Sequence, residues 1–155
     1  MAISTYTELK TAVANWLDRD DLTDRIPEFI ALAEARMNRV LRLRMMEAKY
    51  TASTVGAQRN YALPTGYLQM RNFQLNTSPI TTLSYVSPEI FDRLWGGSTG
   101  GTPQFYTILA NEIQLGPIPA SAQTMEMLFY KKITALSGTN LTEQMLTDNP
   151  DIYLY

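Results

Sequence analysis

Residues 26–44 read IPEFIALAEARMNRVLRLR and contain the clearest pattern in this 155-residue chain. Their apolar side chains recur at steps of three and four, as on one face of an α-helix. They are Ile26, Ile30, Ala33, Met37, Val40 and Leu41. Thr23 is a suitable N-cap, and Pro27 is tolerated because it falls within the first turn. We therefore predict a long helix from Thr23 to about Arg44.

A shorter helix is predicted in front of it, over residues 5–18. Thr5 and Glu8 have the spacing of a capping box, in which the two residues satisfy each other's backbone N–H groups. Leu9, Val13 and Trp16 then follow at helical spacing. The two helices together predict a helical N-terminal part.

From Glu47 onward the apolar pattern shortens toward alternation, and glycine and proline recur, which indicates strands and turns. Residues 124–133 alternate most clearly. Residues 67–75 form another strand, in which the apolar face switches near Arg71 and so predicts a bulge. The remaining predictions are a hairpin over 105–115, weaker strands at 50–53, 58–62 and 80–86, a short helix at 88–95 and a flexible loop at 96–103.

These elements predict an α+β fold, in which a mostly antiparallel β region is inserted between an N-terminal helical hairpin and a C-terminal helical turn. The predicted parts are a helical part at 1–46, a β-rich insertion at 47–134 with the short helix near 88–95, and a segment at 135–155 that returns to the helical part. The turn that begins at Asn149–Asp151 is too short to be stable alone. We expect a partner or a longer natural chain to complete it.

Composition excludes several kinds of chemistry. The chain has no cysteine and no histidine, so it lacks thiolate nucleophiles, the usual triad base and the commonest zinc ligands. Its net charge of −2 gives no overall basic excess for binding DNA phosphates. A signal-peptide pattern and an apolar run long enough to span a membrane are both missing. We predict no enzymatic activity, no cofactor and no membrane partner.

Two stretches imitate ligand-binding motifs. The acidic corner comprises Asp18, Asp20, Asp21 and Asp24. An EF-hand would require glycine and glutamate where Thr23 and Phe29 stand, so we interpret the corner as solvated and predict no metal site. Residues 96–101 are rich in glycine but lack the Gly-Lys-Ser/Thr ending of a phosphate loop, which indicates a linker.

The arginine cluster, Arg36, Arg39, Arg42 and Arg44, is the densest group of basic residues. The first three are spaced to form a slanting stripe along the predicted helix. One interpretation is a solvated face. The other is an interface with a neighbouring subunit or with DNA, because arginine binds carboxylates and phosphates bidentately. We predict that the cluster meets the acidic corner of a neighbouring copy.

Two other functions remain open from the residues alone. A carbohydrate-binding β module would use tyrosines such as Tyr61, Tyr67 or Tyr106 as platforms that stack on sugar rings. A glycoside hydrolase would need two carboxyl groups facing each other across a cleft, for which Glu112 and Glu126 are the acids within the clear strands. Sequence does not show whether these two side chains meet.

Several segments together resemble the head-to-tail adaptor, or connector, proteins of tailed bacteriophages. No single segment is specific to the family, but the order and spacing of the segments are. The resemblance covers essentially the whole chain. The segments are Ser4–Lys10, Asn15–Leu17, Ile26–Ile30, Ala33–Arg36, Leu63–Leu68, Tyr85–Glu89, Gly101–Pro103 followed by Tyr106, Ile113–Pro119 and Pro150–Tyr155.

The resemblance implies a structural virion protein, made in the host cytoplasm, that works as a ring of about twelve copies. The ring would join the portal to the tail proteins of the nozzle or tube and line the channel through which DNA leaves. Its contacts with double-stranded DNA would be transient and non-specific. The end of the chain is the expected contact with portal or tail. Its residues are Ile152, Tyr153, Leu154 and Tyr155.

Overall fold

A computed structural model of the chain describes residues 3–19, 21–97 and 100–154. The chain divides into two compact units, one from Met1–Met46 with Lys132–Tyr155 and the other from Glu47–Lys131. We call them the helical unit and the β unit. The described residues are helices and mostly antiparallel strands, so the predicted α+β class is confirmed.

The described residues contain the helices α1 (Tyr6–Leu17), α2 (Ile26–Val40), α3 (Pro88–Trp95) and α4 (Gln144–Asp148), and the 3₁₀ turns Arg44–Met46 and Pro150–Tyr153. Their strands are β1 (Glu47–Ser53), β2 (Asn60–Ala62), β3 (Tyr67–Leu75), β4 (Thr81–Thr82), β5 (Ser84–Tyr85), β6 (Gly100–Gly101), β7 (Phe105–Leu109), β8 (Glu112–Gly116), β9 (Ile118–Pro119) and β10 (Thr124–Lys131). These bounds confirm the predicted first helix, the short helix α3, the long strands and the hairpin β7–β8.

The capping box of α1 is confirmed. The backbone N–H of Glu8 donates to Thr5 Oγ1 at 3.3 Å. In return, Glu8 Oε2 accepts the backbone N–H groups of Thr5 and Ser4 at 3.0 and 2.9 Å. The helix ends where Asp18 takes a left-handed conformation with φ 50°. Its start is therefore fixed by local side-chain chemistry that the sequence already shows.

The predicted bounds of α2 are wrong at both ends. The helix begins at Ile26 with Arg25, rather than Thr23, in the N-cap position, and Pro27 does lie in its first turn. It ends at Val40 instead of Arg44, because Leu41 adopts an extended backbone with φ −84° and ψ 144°. The apolar pattern continues past Val40, but the helix does not.

The helical unit has its own core. Its buried apolar residues are Tyr6, Leu9, Ile26, Ile30, Met37, Met46, Ile133, Leu136, Met145, Leu146 and Tyr153. The segment that follows β10 is tied to α2 by two hydrogen bonds. Ile133 N–H donates to Asn38 Oδ1 at 2.8 Å, and Leu136 N–H donates to Glu34 Oε1 at 2.9 Å. Residues far apart in sequence therefore close this unit.

The β unit contains two four-stranded sheets, with strand orders β1-β10-β3-β4 and β2-β8-β7-β5. Most neighbouring strands are antiparallel, whereas β5 pairs with β7 in parallel. Both sheets contribute to one core: Phe73 of β3 and Tyr106 of β7 meet edge to face, with ring centroids 5.2 Å apart. The predicted inward face of β10 is confirmed, since Met125, Met127 and Phe129 are all buried.

The predicted bulge at Arg71 is also confirmed. Leu128 lies opposite Asn72 and Phe129 lies opposite Met70, so Arg71 is the extra residue between them. A single inserted residue reverses which side chains face the core. Arg71 is thus exposed and forms an ion pair with Glu47.

One loop prediction is wrong in part, and one helix was not predicted. Gly100–Gly101 is not an open loop but the strand β6, which pairs in parallel with β9. Ser98 and Thr99 of the predicted loop lie outside the described residues. The helix α4 was not predicted, because its five residues are too few to show periodicity. Glu143 begins it by accepting the backbone N–H of Met145 at 2.6 Å.

The short helix α3 packs against the strand end at Gly116. A Cβ atom added at Gly116 would lie 2.8 Å from the ring of Phe91 and 3.1 Å from that of Trp95. Phe91 is fully buried, and Trp95 stacks on Phe105 at 4.7 Å between centroids. Glycine is required here by close approach.

Candidate interaction surfaces

The helix α2 carries apolar side chains on two faces. Its buried face is formed by Ile26, Ile30, Glu34 and Met37. On the outside, Phe29, Leu32 and Val40 are 47%, 66% and 69% exposed. Exposed apolar side chains on one element commonly mark a contact site. Phe29 and Leu32 lie outside the apolar stripe predicted for α2, which was the sequence signal for this surface, whereas Val40 was predicted within the stripe and is exposed instead.

A groove of about 410 Å³ runs along this outer face. On one side it is lined by Leu32, Ala33, Arg36, Val40 and Leu41, and Ile152 of the second 3₁₀ turn contributes from the other side. We call it the α2 groove. Its lining is largely apolar but includes one basic residue, Arg36, so it suits an apolar occupant that also interacts with a cation.

Two members of the arginine cluster point outward from α2. Arg36 and Arg39 are both exposed. Within the part of the chain that the structure describes, neither side chain forms a hydrogen bond or an ion pair. We call these two residues the arginine pair. Arg44 is exposed in the first 3₁₀ turn, away from α2 itself.

Arg42 does not belong to the predicted stripe, and this is a correction. It lies beyond the end of α2 and is half-buried. Its Nη1 donates to the carbonyl oxygens of Leu41 and Asn38 at 2.6 and 3.0 Å. A cation that caps the last carbonyls of a helix stabilises the negative end of the helix dipole. Arg42 therefore has a structural role within its own chain.

The acidic corner lies between α1 and α2. Asp18, Asp21 and Asp24 are exposed, whereas Asp20 lies outside the described residues. Arg19 forms two hydrogen bonds of 2.6 Å to Asp21, and these hold the pKa of Asp21 below its usual range. The carboxyl groups of Asp18 and Asp24 form no hydrogen bond or ion pair with any described residue.

Asp18 adds a negative charge at the negative end of a helix. It caps the C-terminus of α1, where the helix dipole is itself negative, and the last turn of α1 has no basic residue. In residues 3–19, 21–97 and 100–154, no group of three or more carboxylates is placed to hold a metal ion. Trp16 and Leu17, just before the corner, are 65% and 42% exposed.

Glu34 is a buried carboxyl in the helical unit, only 5% exposed. Burial raises its pKa, the hydrogen bond from Leu136 lowers it, and the nearby charge of Glu143 raises it further. Tyr153 lies in the same interior, and its hydroxyl has no hydrogen-bond partner among the described residues. Burial and the two glutamates raise the pKa of Tyr153 as well.

The predicted contact end is therefore divided between core and surface. Ile152 lines the α2 groove, and Tyr153 is buried in the core of the helical unit. Leu154 is half-buried, and Tyr155 lies outside the described residues. Of the residues described, Ile152 is the one that combines a position at this end with a place in the groove.

The tyrosine platform interpretation does not agree with the structure. Tyr61 and Tyr106 are each only 7% exposed, and burial raises the pKa of Tyr106 to about 12. The hydroxyl of Tyr61 accepts the N–H of Val55 at 3.0 Å, which fixes a loop. Tyr67 is half-buried and stacks on Phe129 at 5.8 Å. Side chains committed to the core cannot also stack on a sugar.

The acid pair is not supported either. Glu126 lies on β10 in one sheet and Glu112 on β8 in the other. Glu126 accepts from Lys49 Nζ at 2.8 Å, and this bond, with a weaker one from Asn76, lowers the pKa of Glu126. A general acid needs the opposite, a raised pKa.

An α+β chain whose helical unit exposes an apolar groove, an arginine pair and an acidic corner has the features of a structural interaction protein. In the described residues, no helix is both long enough and apolar enough to cross a membrane. No curated protein matches the chain. The sequence model of the SU10 adaptor protein matches residues 4–155, so the chain belongs to this family of adaptors of phage head–tail connectors. The predicted family is thereby confirmed, and the chain is a structural component of a virion.

Proposed function

We propose that copies of this chain join head to tail into a ring that links the portal to the tail and surrounds the DNA exit channel. The observation that carries the proposal is that one helical unit exposes two surfaces of opposite charge. The arginine pair of α2 lacks anionic partners among the described residues. In the acidic corner, the carboxyl groups of Asp18 and Asp24 lack cationic partners among the same residues. Each surface is the chemical complement of the other.

Unlike patches on one chain favour a ring over a symmetric dimer. If two arginine pairs faced each other, their like charges would repel. When one patch binds the other patch of the next copy, an open row keeps a free patch at each of its two ends, and the row closes into a ring only if the rotation between copies returns to its start. Ring closure satisfies every patch, and the family resemblance implies about twelve copies.

The charge of the chain suits a channel through which DNA must slide. Every phosphate that a protein neutralises adds affinity, so a strongly basic lining would retain the DNA. The net charge is −2. In the proposed ring the arginine pair faces the acidic corner of a neighbour, so its charge is not offered to phosphates. Contacts with double-stranded DNA are then transient and non-specific.

We propose a purely structural role, without catalysis. The chain has no histidine or cysteine to act as base or nucleophile. The lowered pKa of Glu126 makes this residue a poor proton donor near neutral pH. The working partners are other copies of the chain, the portal protein, the tail proteins and DNA.

Electron microscopy of the purified chain mixed with the portal protein of the same phage tests this function. The expected result is a ring of this chain bound coaxially to one end of the portal, with an open central channel. Arg93→Glu, which reverses an exposed arginine of the β unit, is a control that should leave the ring intact. Portal particles that carry isolated copies, or none, would contradict the proposal.

A further inference from the structure

We infer that the α2 groove receives the Trp16–Leu17 end of α1 from the neighbouring copy. This inference rests on the proposed ring and names the side chains that join its subunits. The groove is apolar and lies on the outer face of α2, and the two side chains are large and exposed. Each surface therefore leaves apolar area in water that the other would cover.

The composition of the groove favours an aromatic occupant. Arg36 lines it beside Leu32 and Val40. A guanidinium attracts the face of an aromatic ring, most strongly that of tryptophan, while the aliphatic side chains cover its edges. The groove has a volume of about 410 Å³, enough for an indole with a leucine beside it. Tryptophan and arginine are also the residues most enriched where binding energy concentrates.

The charges continue the match beyond the groove. Asp18 directly follows Leu17 and lies at the negative end of α1. Arg39 follows Arg36 by nearly one turn of α2, about 4.5 Å along the helix axis. An indole held by Arg36 would bring Asp18 toward Arg39, where opposite charges attract. The same contact would neutralise the uncompensated end of α1.

The α2 groove of another copy is poorly suited to occupy this groove. Face-to-face pairing of two α2 helices would bring Arg36 and Arg39 against their own copies, and like charges oppose this contact. A contact between groove and α1 end is heterologous, so each copy both donates and receives one α1 end. This is the connectivity that a ring needs.

Cysteine crosslinking tests the contact directly, because the chain has no native cysteine. The double variant Leu17→Cys/Val40→Cys carries one thiol at the Trp16–Leu17 end of α1 and one in the α2 groove. The matched control is Leu17→Cys/Ile80→Cys, since Ile80 is 62% exposed on the β unit. Both are assembled with the portal protein, treated with a short bifunctional maleimide and resolved by denaturing electrophoresis.

The expected result is a ladder of dimers, trimers and higher species from the first variant and none from the control. Each single-cysteine variant should run as an uncrosslinked monomer in the denaturing gel, because a heterologous contact does not bring identical residues together. Dimers from Val40→Cys alone would show that groove faces groove, and would overturn the inference. Rings that form without the ladder would overturn it too, while leaving the proposed ring intact. If no rings form, the result contradicts the proposed ring itself, and the inference that rests on it falls too.

A second measurement is the concentration at which half of the chains are assembled. Trp16→Ala should raise it more than about tenfold, as expected for truncation of a residue on which binding depends. Ile80→Ala is the control and should leave it unchanged. Thermal unfolding of each variant as a monomer is measured alongside, so that a change in folding stability is separated from a change in assembly. Unchanged assembly of Trp16→Ala would overturn the inference.

Discussion

Glu34 of α2 accepts the backbone N–H of Leu136 at 2.9 Å, across 102 residues of sequence. The carboxyl is 5% exposed, so this hydrogen bond is made away from water. Together with the bond from Ile133 to Asn38, it fixes the returning segment against the helix that carries the α2 groove. Ile152, farther along that segment, can line the groove because the segment is held in place.

The first prediction concerns the charge of Glu34. Its pKa lies above the ordinary value of 4.5, chiefly because of burial. At a pH between 4.5 and the raised pKa of Glu34, the folded state binds more protons than the unfolded state. The contribution of Glu34 to stability therefore falls as the pH rises through this range. Glu34→Gln keeps an oxygen for Leu136 without the charge. We expect it to raise the melting temperature at pH 7 and to lose this advantage as the pH falls toward 4.5.

Thermal unfolding followed by circular dichroism over a range of pH measures this difference. Glu28→Gln is the control, since Glu28 is an exposed carboxyl on the same helix. It should show no comparable pH-dependent gain. If Glu34→Gln is less stable than the natural chain at every pH, the buried charge stabilises the fold and the assignment is wrong.

The second prediction concerns the end of α2. Arg42→Met removes the side chain that caps the carbonyl oxygens of Asn38 and Leu41. We expect a loss of about 1 kcal/mol in the free energy of unfolding, the usual size of a helix-end charge interaction. Arg44→Met removes an exposed arginine two residues later and should cost less than about 0.5 kcal/mol. Equal losses in urea titrations would mean that Arg42 is not a cap.

The third prediction concerns the contact between α3 and Gly116. A methyl group at Gly116 would meet the ring of Phe91 at 2.8 Å, so Gly116→Ala must displace a buried ring. Such overpacking typically costs about 1–3 kcal/mol. Gly97→Ala is the control, because an added Cβ there meets nothing within 4 Å. Similar stability of the two variants would contradict the close packing of α3.

Features governed by neighbours in sequence could be predicted. The capping box at Thr5, the alternation on β10 and the bulge at Arg71 each follow from a few adjacent side chains. The end of α2 could not, because the apolar spacing continues past Val40 although the backbone becomes extended at Leu41. The pairing of Gly100–Gly101 with β9 depends on a partner distant in sequence. Periodicity also gave no sign that Tyr61 and Tyr106 face the core.

For the candidate site, composition identified the charged groups but not their availability. Asp18 and Arg36 were predicted and are exposed. Arg42 was predicted with them, yet its charge is used within the chain. The α2 groove was missed, because it needs Ile152 and α2 side by side, and only the folded helical unit brings them together.

The central claim is that the arginine pair of one copy meets the acidic corner of the next. Two variants with reversed charges test it: Arg36→Glu/Arg39→Glu and Asp18→Lys/Asp24→Lys. Native mass spectrometry in the presence of the portal protein measures the assembly of each alone and of an equimolar mixture. We predict that neither variant assembles alone, because both of its contact surfaces then carry the same sign of charge and repel each other between copies. The mixture should form rings with equal amounts of both, because every contact again joins opposite charges. Rings from either variant alone, or none from the mixture, would contradict the claim.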